Sequence, residues 1–397
     1  MDTCIESPVS PDTRHDGSAE PMRILHIFGR MDRGGAEMRT LELFRHLDPT
    51  EHRFEFCSLS GKAGELDNEI LRLGGKVHLV KLSSAGFPAR FRNLLTHGNF
   101  SVVHSHVHYF SGFLLRLAAK AGTPCRIAHF RTTNDGKGTS LWRQARNLVL
   151  KHWIDAYATQ ILGVSRAALD ASLGADWNSD PRCKVIYNGI DCGPGGIERD
   201  SENVRNEFAI PTVATLLIHV GRWSPEKNHD RLLRVFSSFV KRVPNSYLLL
   251  VGAKSEPVIS GVRKLVRELD LEGHAIECGS RSDVKRLLMA SDLMICPSMR
   301  EGLPGAVLEA AAVGTPALTS DIAPMLEVSQ YLPIRTMSLL DSNEAWSAAS
   351  VDLCQDSTLQ SRLIRAFAAS PFTMRASVAA FRQVYPVLAS GANEKHA

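Results

Sequence analysis

Residues 291–319 read SDLMICPSMREGLPGAVLEAAAVGTPALT, and this stretch decides the fold of the chain. Its apolar run Leu293–Cys296 predicts a buried strand, which leads into a loop that holds Glu301. A helix that begins near Gly305 and carries Glu309 should follow. In such a strand–loop–helix unit, the helix N–H groups and the positive end of the helix dipole lie beside a bound anion. The stretch therefore predicts a phosphate site at the start of this helix.

The two glutamates of this stretch are eight positions apart, one before the helix and one just over a turn inside it. Carboxylates accept hydrogen bonds from hydroxyl groups, so a pair of them beside a phosphate indicates a sugar nucleotide. The spacing alone also fits an ordinary buried α/β unit, in which one acid caps the helix and the other is solvated. Gly314 and Pro316 predict where the helix ends.

Strands alternate with helices along most of the chain, which argues for parallel sheets with helices on both faces. A polar, glycine-rich passage at 192–210 interrupts this alternation. The sequence therefore predicts two doubly wound α/β domains joined by a linker. In such sheets ligands bind at the carboxyl ends of the strands, so the loops that follow strands are the places to look for chemistry.

The composition is that of a globular protein, with 397 residues of which 44% are hydrophobic and 22% charged. The eight cysteines form no CxxC pair and no zinc-ligand spacing with histidine, which indicates reduced core residues of a cytosolic protein. No apolar run reaches the length of about 18 residues that a spanning helix needs. Residues 1–21 are acidic and lack an apolar core, so we expect a disordered tail and no ordinary signal peptide.

The loop after the first strand contains Gly34 and Gly35 just before a helix. Glycines at a helix start let a ligand approach the backbone, although a Gly-Gly pair alone is most often only a turn. The arrangement is not GxGxxG, and no acid follows at the distance of a dinucleotide ribose. A nicotinamide cofactor is therefore disfavoured.

The first strand after the linker runs into HVGRWSPEKNHDRLL at 219–233, where Arg222 and Lys227 flank a Ser-Pro turn. Two cations at this place could converge on one diphosphate and stabilise the charge that a breaking glycosyl bond leaves on it. They could also be two exposed basic residues at a helix start. No Asp-x-Asp metal motif follows a strand, so we predict no metal.

His104, His106 and His108 alternate in SVVHSHVH, which predicts that they share one face of a strand. A metal cluster would need a further ligand, and the sequence places no carboxylate or cysteine nearby. Ordinary hydrogen-bonded histidines are an alternative.

Together these strings resemble glycosyltransferase family 4, the retaining enzymes of the GT-B fold. The Glu-x7-Glu spacing with its Gly302, Leu303 and Pro304, the GR…KN string and VIYNGID at 185–191 carry the resemblance, which covers residues 22–388. It implies two doubly wound Rossmann-like domains facing across a cleft. The expected segments are a disordered tail at 1–21, an acceptor domain at 22–192, a linker at 193–210, a nucleotide-sugar domain at 211–373, and a helix at 374–390 that crosses back to the first domain.

The resemblance implies a role for each matching residue. The residues expected to bind the donor are Gly35, Arg222, Lys227, Leu303, Gly305, Ala306 and Glu309, and those expected to act in catalysis are His106 and Glu301. Which of the three alternating histidines faces the donor is left open. His129 and Arg131, after the fifth strand, are candidates for contact with the acceptor. In GSRSDVKRLLMASDL at 279–293, the resemblance implies that the backbone near Ser280 and Arg281 faces the nucleotide base, while Asp283 is better explained as a charge at a helix start than as a ligand.

The implied reaction is metal-independent, cofactor-free transfer of a hexose from a nucleoside-diphosphate sugar with retention. No nucleophilic carboxylate stands out in the first domain, so same-face attack is expected, with the leaving phosphate helping to take the acceptor's proton. The expected acceptor is a glycan or a polyprenyl-pyrophosphate-linked saccharide in surface or exopolysaccharide biosynthesis. An epimerase of the same fold and a non-catalytic nucleotide-sugar scaffold are the alternatives.

Residues 70–154 contain thirteen Lys and Arg against one Asp, a net +12 compared with +4 for the whole chain. This field would attract an anionic membrane surface or a lipid pyrophosphate. The segments 87–95 and 141–153 mix aromatic, aliphatic and basic residues as interfacial helices do, although core-facing helices with basic outer faces also fit. No nucleic-acid recognition motif accompanies the charge. We therefore expect a cytoplasmic protein, peripheral on the inner face of the membrane.

Overall fold

The computed structural model describes residues 3–5, 20–133, 140–191, 200–256 and 258–385. The chain divides into two compact units. Unit 1 consists of residues 1–189 together with 374–397, and unit 2 consists of residues 190–373. The segment expected to cross back to the first domain therefore groups with unit 1, which takes its chain from both ends of the sequence.

Unit 1 is built on an eight-stranded sheet with the order β1-β4-β3-β2-β5-β6-β7-β8. Its strands are β1 (Thr3–Ile5), β2 (Met22–Phe28), β3 (His52–Ser58), β4 (Lys76–Leu79), β5 (Val102–Ser105), β6 (Cys125–Phe130), β7 (Gln160–Gly163) and β8 (Cys183–Val185). All neighbours are parallel except β1, which pairs antiparallel with β4. The expected tail thus contains a strand, and its residues 1–2 and 6–19 lie outside the described residues.

Helices cover both faces of this sheet. They are α1 (Gly35–His46), α2 (Asp67–Arg72), α3 (Phe87–Gly98), α4 (Ser111–Lys120), α5 (Leu141–Tyr157) and α6 (Arg166–Leu173). The alternation of β2 decides which side chain meets which face: Ile24 packs in one apolar core with Phe44 of α1, and Leu25 packs in the other with Phe91 of α3.

Unit 2 is built on a six-stranded parallel sheet with the order β11-β10-β9-β12-β13-β14. Its strands are β9 (Thr215–Val220), β10 (Ser246–Val251), β11 (Ala275–Gly279), β12 (Leu293–Cys296), β13 (Ala317–Ser320) and β14 (Arg335–Met337). Its helices are α7 (Ser201–Glu207), α8 (His229–Val240), α9 (Val258–Glu268), α10 (Val284–Ala290), α11 (Gly305–Val313), α12 (Ala323–Ser329), α13 (Asn343–Gln355) and α14 (Leu359–Ala369), and α15 (Met374–Val384) follows in unit 1. The passage expected as a linker at 193–210 thus contains a helix, and its residues 193–199 lie outside the described residues.

Each sheet has one switch point, which is the place where the order of the strands reverses. It lies at the first long strand, which has the next strand of the chain on one side and a later strand on the other. In unit 1, β2 lies between β3 and β5, and in unit 2, β9 lies between β10 and β12. The loops after β2 and β5 are therefore neighbours, as are the loops after β9 and β12. The predicted class of two doubly wound α/β domains is confirmed, and no helix in the described ranges is long and apolar enough to cross a bilayer.

Candidate active site

The switch point of unit 2 brings together a lysine and a glutamate that are 74 positions apart. Lys227 Nζ donates to Glu301 Oε1 at 2.6 Å, and the two side chains are only 18% and 12% exposed. Burial alone would lower the pKa of Lys227, but the Glu301 carboxylate outweighs it and the pKa is raised. The loop after β9 therefore holds a charged ammonium against the loop that precedes α11.

The local backbone explains how Lys227 reaches this position. It ends a short turn of 3₁₀ helix at Pro225–Lys227, and Asn228 then takes a left-handed conformation with φ 55°. The Asn228 side chain accepts from the Arg231 N–H and so caps α8. Arg222, the second cation expected at a diphosphate, is exposed, and its role there stays a prediction. The sequence pattern did not reveal that Lys227 pairs with the glutamate expected to contact the sugar.

At the start of α11 the first backbone N–H groups have no partner among the residues that the structure describes. The helix begins at Gly305, after Pro304, and its first internal bond runs from the Val307 N–H to the Pro304 carbonyl at 3.0 Å. The N–H groups of Gly305 and Ala306 are thus the ones at the open end of the helix. A Cβ placed on Gly305 would meet nothing within 4 Å, so there is space for a ligand at this backbone.

The two predicted neighbours of these donors lie where the Glu-x7-Glu spacing puts them. Leu303 is half-buried in the loop before α11, and Glu309 is half-buried inside the helix, just over one turn from its start. The helix ends at Gly314, which has the left-handed φ of 82° that favours glycine. The strand, loop and helix predicted from residues 291–319 are therefore all present.

Gly35 is the corresponding glycine of unit 1. It is the first residue of α1, after the extended residue Gly34, and a Cβ on it would also meet nothing within 4 Å. This part of the loop after β2 is therefore open to a ligand, as expected from the Gly-Gly pair.

Three buried histidines and the half-buried His106 form a connected cluster in unit 1. His26 of β2, His104 of β5 and His129 of β6 lie on adjacent strands, and His106 follows β5 directly. His26 Nδ1 and His106 Nε2 share a hydrogen bond of 3.0 Å, and so do His104 Nε2 and His129 Nδ1. His104 Nδ1 also bonds the Tyr385 hydroxyl, which follows α15, at 2.7 Å.

Burial lowers the pKa of each of these four histidines well below its usual value, and the positive charge of Arg131 acts in the same direction. The rings are therefore neutral at physiological pH. A neutral imidazole has one N–H and one bare nitrogen, so in each hydrogen bond between two of these rings one nitrogen donates its proton and the other accepts it.

The prediction that three alternating histidines share one face of a strand is wrong, because β5 ends at Ser105. His108 has a left-handed φ of 53° and begins a short 3₁₀ turn, with its ring against Tyr109 and Phe130. The sequence analysis missed His26. The only signal for it was that it stands at the same level as His104 on the neighbouring strand, which depends on the strand register.

The two candidates for contact with the acceptor also lie in this cluster. His129 bonds His104, and the Arg131 guanidinium donates to Asn188 Oδ1 at 2.6 Å and Thr40 Oγ1 at 2.7 Å. Burial lowers the pKa of Arg131 to about 10, so it stays charged. The contacts of Arg131 attach α1 to the loop after β8, and a role toward the acceptor stays a prediction.

A cavity of ≈ 10 Å³ lies among His26, His104, His106, Arg131 and Asn188, which is room for about one water molecule. His26, His104 and His106 each bring one nitrogen to within 4.8 Å of the others, close enough to hold a metal ion. Hydrogen bonds already use nitrogens of this group, and the charge of Arg131 opposes a second cation. The expected absence of a metal stays a prediction.

Asp283, expected as a charge at a helix start, precedes α10 and pairs with Arg281 at 2.7 Å and Arg286 at 3.1 Å. Both arginines also pair with Glu207 of α7, at 2.9 and 2.8 Å. Hydrogen bonds from Arg281 lower the pKa of Asp283 to about 2. These contacts give Asp283 a structural role in attaching α7 to α10.

The two segments expected to be interfacial differ in the structure. In α3 the apolar residues Phe87, Phe91 and Leu95 are buried in the core, which fits the alternative of a core-facing helix. In α5 four large apolar side chains face solvent, and they are Leu141 (84% exposed), Trp142 (81%), Leu148 (70%) and Val149 (49%). We name these four residues the α5 stripe.

Comparison with known proteins shows which families the two parts of the chain match. Residues 34–189 match the model described as "Glycosyl transferase 4-like domain", and residues 200–366 match "Glycosyl transferases group 1". CapH of Staphylococcus aureus, a capsular polysaccharide biosynthesis glycosyltransferase, is 33% identical over 329 residues, which are 82% of this chain and 89% of CapH.

A second relative is the UDP-Gal:α-D-GlcNAc-diphosphoundecaprenol α-1,3-galactosyltransferase of Escherichia coli. It is 26% identical over 237 residues, which are 58% of this chain and 60% of that enzyme. Among solved structures, HepE of Anabaena in complex with UDP and glucose has a TM-score of 0.75 at 17% identity and covers 91% of this chain and 98% of its own. At this identity the likeness shows the fold alone, which is the GT-B fold.

Proposed function

Because this chain belongs to glycosyltransferase family 4, we propose that it transfers a hexose from a nucleoside-diphosphate sugar, with retention, to a lipid-linked saccharide or glycan. The observation that carries the proposal is the pair of Lys227 and Glu301 beside the open start of α11. A cation and free N–H groups suit a diphosphate, and a carboxylate at the same place suits the hydroxyls of a sugar.

Each part of the donor binds to a different set of these groups. Lys227, the N–H groups of Gly305 and Ala306, and exposed Arg222 bind the diphosphate, while Pro304 has no N–H and only shapes the loop. Glu309 accepts from the ribose hydroxyls and Glu301 from the donor sugar, beside Leu303. In unit 1, Gly35 gives the diphosphate access to the backbone and His106 contacts the donor sugar.

The residues act by positioning the donor and stabilising charge. As the glycosyl bond breaks, the leaving diphosphate gains negative charge, which Lys227 and the start of α11 stabilise without a metal. The leaving phosphate oxygen takes the acceptor's proton while the acceptor attacks from the same face. No cofactor takes part in this reaction.

The names of the relatives support the pathway and the kind of acceptor. CapH acts in capsular polysaccharide biosynthesis, and the enzyme from Escherichia coli acts on a diphosphoundecaprenol-linked sugar. We assign this chain to surface or exopolysaccharide biosynthesis with a polyprenyl-pyrophosphate-linked acceptor. Such an acceptor is held in a membrane, so the enzyme works in the cytoplasm, peripherally on the inner face of the cell membrane.

The α5 stripe is the part of unit 1 that contacts this membrane. Its members stand at positions i, i+1, i+7 and i+8, so they share one side of the helix, while Leu150 and Ile154 on the opposite side are buried in the core. The exposed cation Arg146 lies on the same helix. A stripe of this kind within a segment of net +12 suits an anionic lipid surface, because apolar side chains enter the interface while cations meet the headgroups.

The donor assignment is tested with a thermal-shift panel of UDP, GDP, ADP and their sugar conjugates, without added metal. We expect one nucleotide series to raise the melting temperature, because a ligand that binds only the native state stabilises it. Lys227→Ala should lose this shift, and Lys241→Ala on the surface of unit 2 should keep it. No shift with any nucleotide would refute the nucleotide-sugar site.

Transfer itself is tested by incubating the nucleotide sugar identified in this way with a polyprenyl-pyrophosphate-linked saccharide and analysing the lipid by mass spectrometry. A gain of one hexose confirms the transferase. Release of free nucleoside diphosphate with an epimerised sugar would identify an epimerase, and binding without any turnover would identify a scaffold.

The membrane contact is tested by co-sedimentation with phosphatidylcholine vesicles that contain or lack phosphatidylglycerol. We expect the wild-type protein to bind only the anionic vesicles and the double variant Trp142→Gln/Leu148→Gln to stay in the supernatant. Leu340→Gln is the matched control, because Leu340 is a 96% exposed leucine of unit 2. Equal binding of wild type and double variant would refute the assignment of the stripe.

A further inference from the structure

The side chain of Arg131 connects two segments of unit 1. One terminal nitrogen of its guanidinium donates to Asn188 Oδ1 at 2.6 Å, in the loop after β8. The other terminal nitrogen donates to Thr40 Oγ1 at 2.7 Å and to the Ala36 carbonyl oxygen at 3.2 Å, both in α1. The guanidinium therefore attaches the first turn of α1 to the loop after β8.

The two acceptors on α1 also bond each other. Thr40 Oγ1 donates to the Ala36 carbonyl oxygen at 2.9 Å, about one helical turn away. Its remaining capacity is that of an acceptor, which Arg131 fills. Thr40 is only 2% exposed, so water cannot easily take the place of the guanidinium. Loss of the Arg131 side chain would leave this buried hydroxyl oxygen without its donor.

The start of α1 lacks the usual side-chain cap. Its N-cap residue is Gly34, which has no side chain to accept from the first N–H groups of the helix. Gly34 and Gly35 also lose more backbone freedom when they become ordered than residues with a side chain do. Hydrogen bonds from the charged guanidinium are stronger than neutral ones, so they contribute to holding this start in place.

We propose that Arg131 is a positioning residue, which holds the first turn of α1 so that the backbone at Gly35 is already ordered for the donor diphosphate. The inference rests on the proposed function, in which Gly35 gives the diphosphate access to the backbone. Gly35 is exposed, with nothing within 4 Å of its Cβ position, and it directly precedes Ala36. A site that is ordered before binding loses less entropy when a ligand arrives, so the contacts of Arg131 increase the affinity for the donor.

This role differs from the contact with the acceptor that the sequence suggested for Arg131. Both terminal nitrogens of the guanidinium already donate to α1 and to Asn188. Replacement of a residue that contacts the acceptor changes the KM for the acceptor, whereas replacement of a residue that orders Gly35 changes the affinity for the donor. Separate measurements on the two substrates therefore distinguish the two roles.

Thr40 is the partner whose replacement tests these contacts while Arg131 stays in place. Thr40→Val keeps the shape of the side chain and removes the hydroxyl, whereas Thr40→Ser keeps the hydroxyl and removes a methyl group. By calorimetric titration with the nucleoside diphosphate, we expect Thr40→Val to bind about tenfold more weakly, the effect of one lost hydrogen bond from a charged donor, and Thr40→Ser to bind like the wild type. Thr96→Val, at an exposed threonine of α3, is the matched control. Weaker binding by Thr40→Ser than by Thr40→Val would show that packing matters and not the hydroxyl, and would overturn the proposal.

Replacement of Arg131 itself separates donor from acceptor. Arg131→Gln should weaken binding of the nucleoside diphosphate at least tenfold and leave the KM for the lipid-linked acceptor unchanged. Arg92→Gln, at an exposed arginine of α3, should behave as the wild type. A raised KM for the acceptor with unchanged donor affinity would support contact with the acceptor and contradict the proposal. If Arg131→Gln does not fold, the two Thr40 variants still decide.

Hydrogen exchange of the free protein, followed by mass spectrometry, measures the order at the start of α1 without a ligand. In Thr40→Val we expect faster exchange than in the wild type for the peptide that covers residues 34–40, and unchanged exchange in α3. Thr40→Ser should exchange like the wild type. Equal exchange of all three proteins at residues 34–40 would show that the contacts of Arg131 do not order this segment.

The measurements separate this inference from the function on which it rests. If the wild type binds no nucleoside diphosphate, the proposed function fails, while hydrogen exchange still decides whether Arg131 orders the start of α1. If the wild type binds the nucleotide and Thr40→Val binds it equally well, the function stands and the inference is wrong.

Discussion

At the scale of single residues, the contact between Lys227 and Glu301 affects how both side chains meet the donor. With no ligand bound, the carboxylate keeps the buried ammonium charged, because the pKa of Lys227 is raised in spite of its burial. A diphosphate that arrives at Lys227 therefore meets a full positive charge. Glu301 is already held at hydrogen-bonding distance from that charge, beside the place proposed for the sugar.

Glu301→Gln should lower turnover by roughly ten- to a hundredfold, since it replaces a charge-assisted hydrogen bond worth about 1.5–3 kcal/mol by a neutral one. The measurement is kcat and KM for the donor, with circular dichroism to confirm the fold. Glu268→Gln at the exposed end of α9 is the control. A Glu301→Gln enzyme with full activity and an intact fold would contradict the role of this glutamate.

Some residues of the site could be predicted from one short stretch of sequence, and others depend on contacts between residues far apart in the sequence. Glu301, Gly305 and Glu309 lie within one strand–loop–helix unit, so their spacing alone predicted their places. The contacts of Lys227 with Glu301 and of His26 with His106 join residues 74 and 80 positions apart. Such pairs depend on which strands are neighbours and at what register, and a single sequence does not specify either.

At the scale of elements, the loop after β9 depends on a glycine of the neighbouring strand. Gly252, just after β10, has φ 148°, and a Cβ on it would lie 1.9 Å from the carbonyl oxygen of Gly221. Gly221 in turn lies against the side chain of Lys227, which a Cβ at that position would approach to 3.1 Å. The backbone of β10 therefore supports the loop that positions the lysine.

Gly252→Ala should destabilise unit 2 and weaken nucleotide binding, because the added methyl group must push the Gly221 peptide away. Gly261→Ala is a matched control, since Gly261 lies in α9 with nothing within 4 Å of its Cβ. This control should raise stability by up to about 1 kcal/mol through helix propensity. The measurements are urea unfolding and the nucleotide thermal shift, and equal behaviour of the two variants would refute the argument.

The sequence predicted best the elements whose residue pattern extends over a longer stretch of the chain. The strand at 293–296 was placed to the residue, and the start of α11 at Gly305 was correct. The strands β1, β8 and β14 have only three residues each, and three residues hardly establish an alternation that a sequence could reveal. The short helix α7 was missed because its polar composition resembles that of a linker.

At the scale of the whole molecule, the histidine cluster should make stability depend on pH. In the folded state the pKa of each of the four histidines is lowered. Below about pH 6.5 the unfolded chain therefore binds protons that the folded chain does not bind. Stability is therefore complete above the unfolded pKa and is lost as the pH falls. Each histidine contributes up to about 1.4 kcal/mol per pH unit.

Urea unfolding at pH 7.5 and 5.5 measures this dependence, and we expect a clearly lower midpoint at pH 5.5. His26→Phe should make the difference between the two midpoints smaller, because one buried titrating group is removed. His152→Gln on exposed α5 should leave it unchanged. A wild-type protein with the same midpoint at both values would show that the cluster is not neutral in the folded state.

The hydrogen bond between His104 and Tyr385 spans 281 positions of the sequence. During synthesis on the ribosome, the strands of unit 1 emerge first, while α15 and Tyr385 emerge only after all of unit 2. Until then the apolar core that Phe381, Val384 and Tyr385 complete is open to water. The nascent chain must therefore carry an unfinished first unit through most of its translation, and a messenger truncated before α15 would yield a protein that never closes this core.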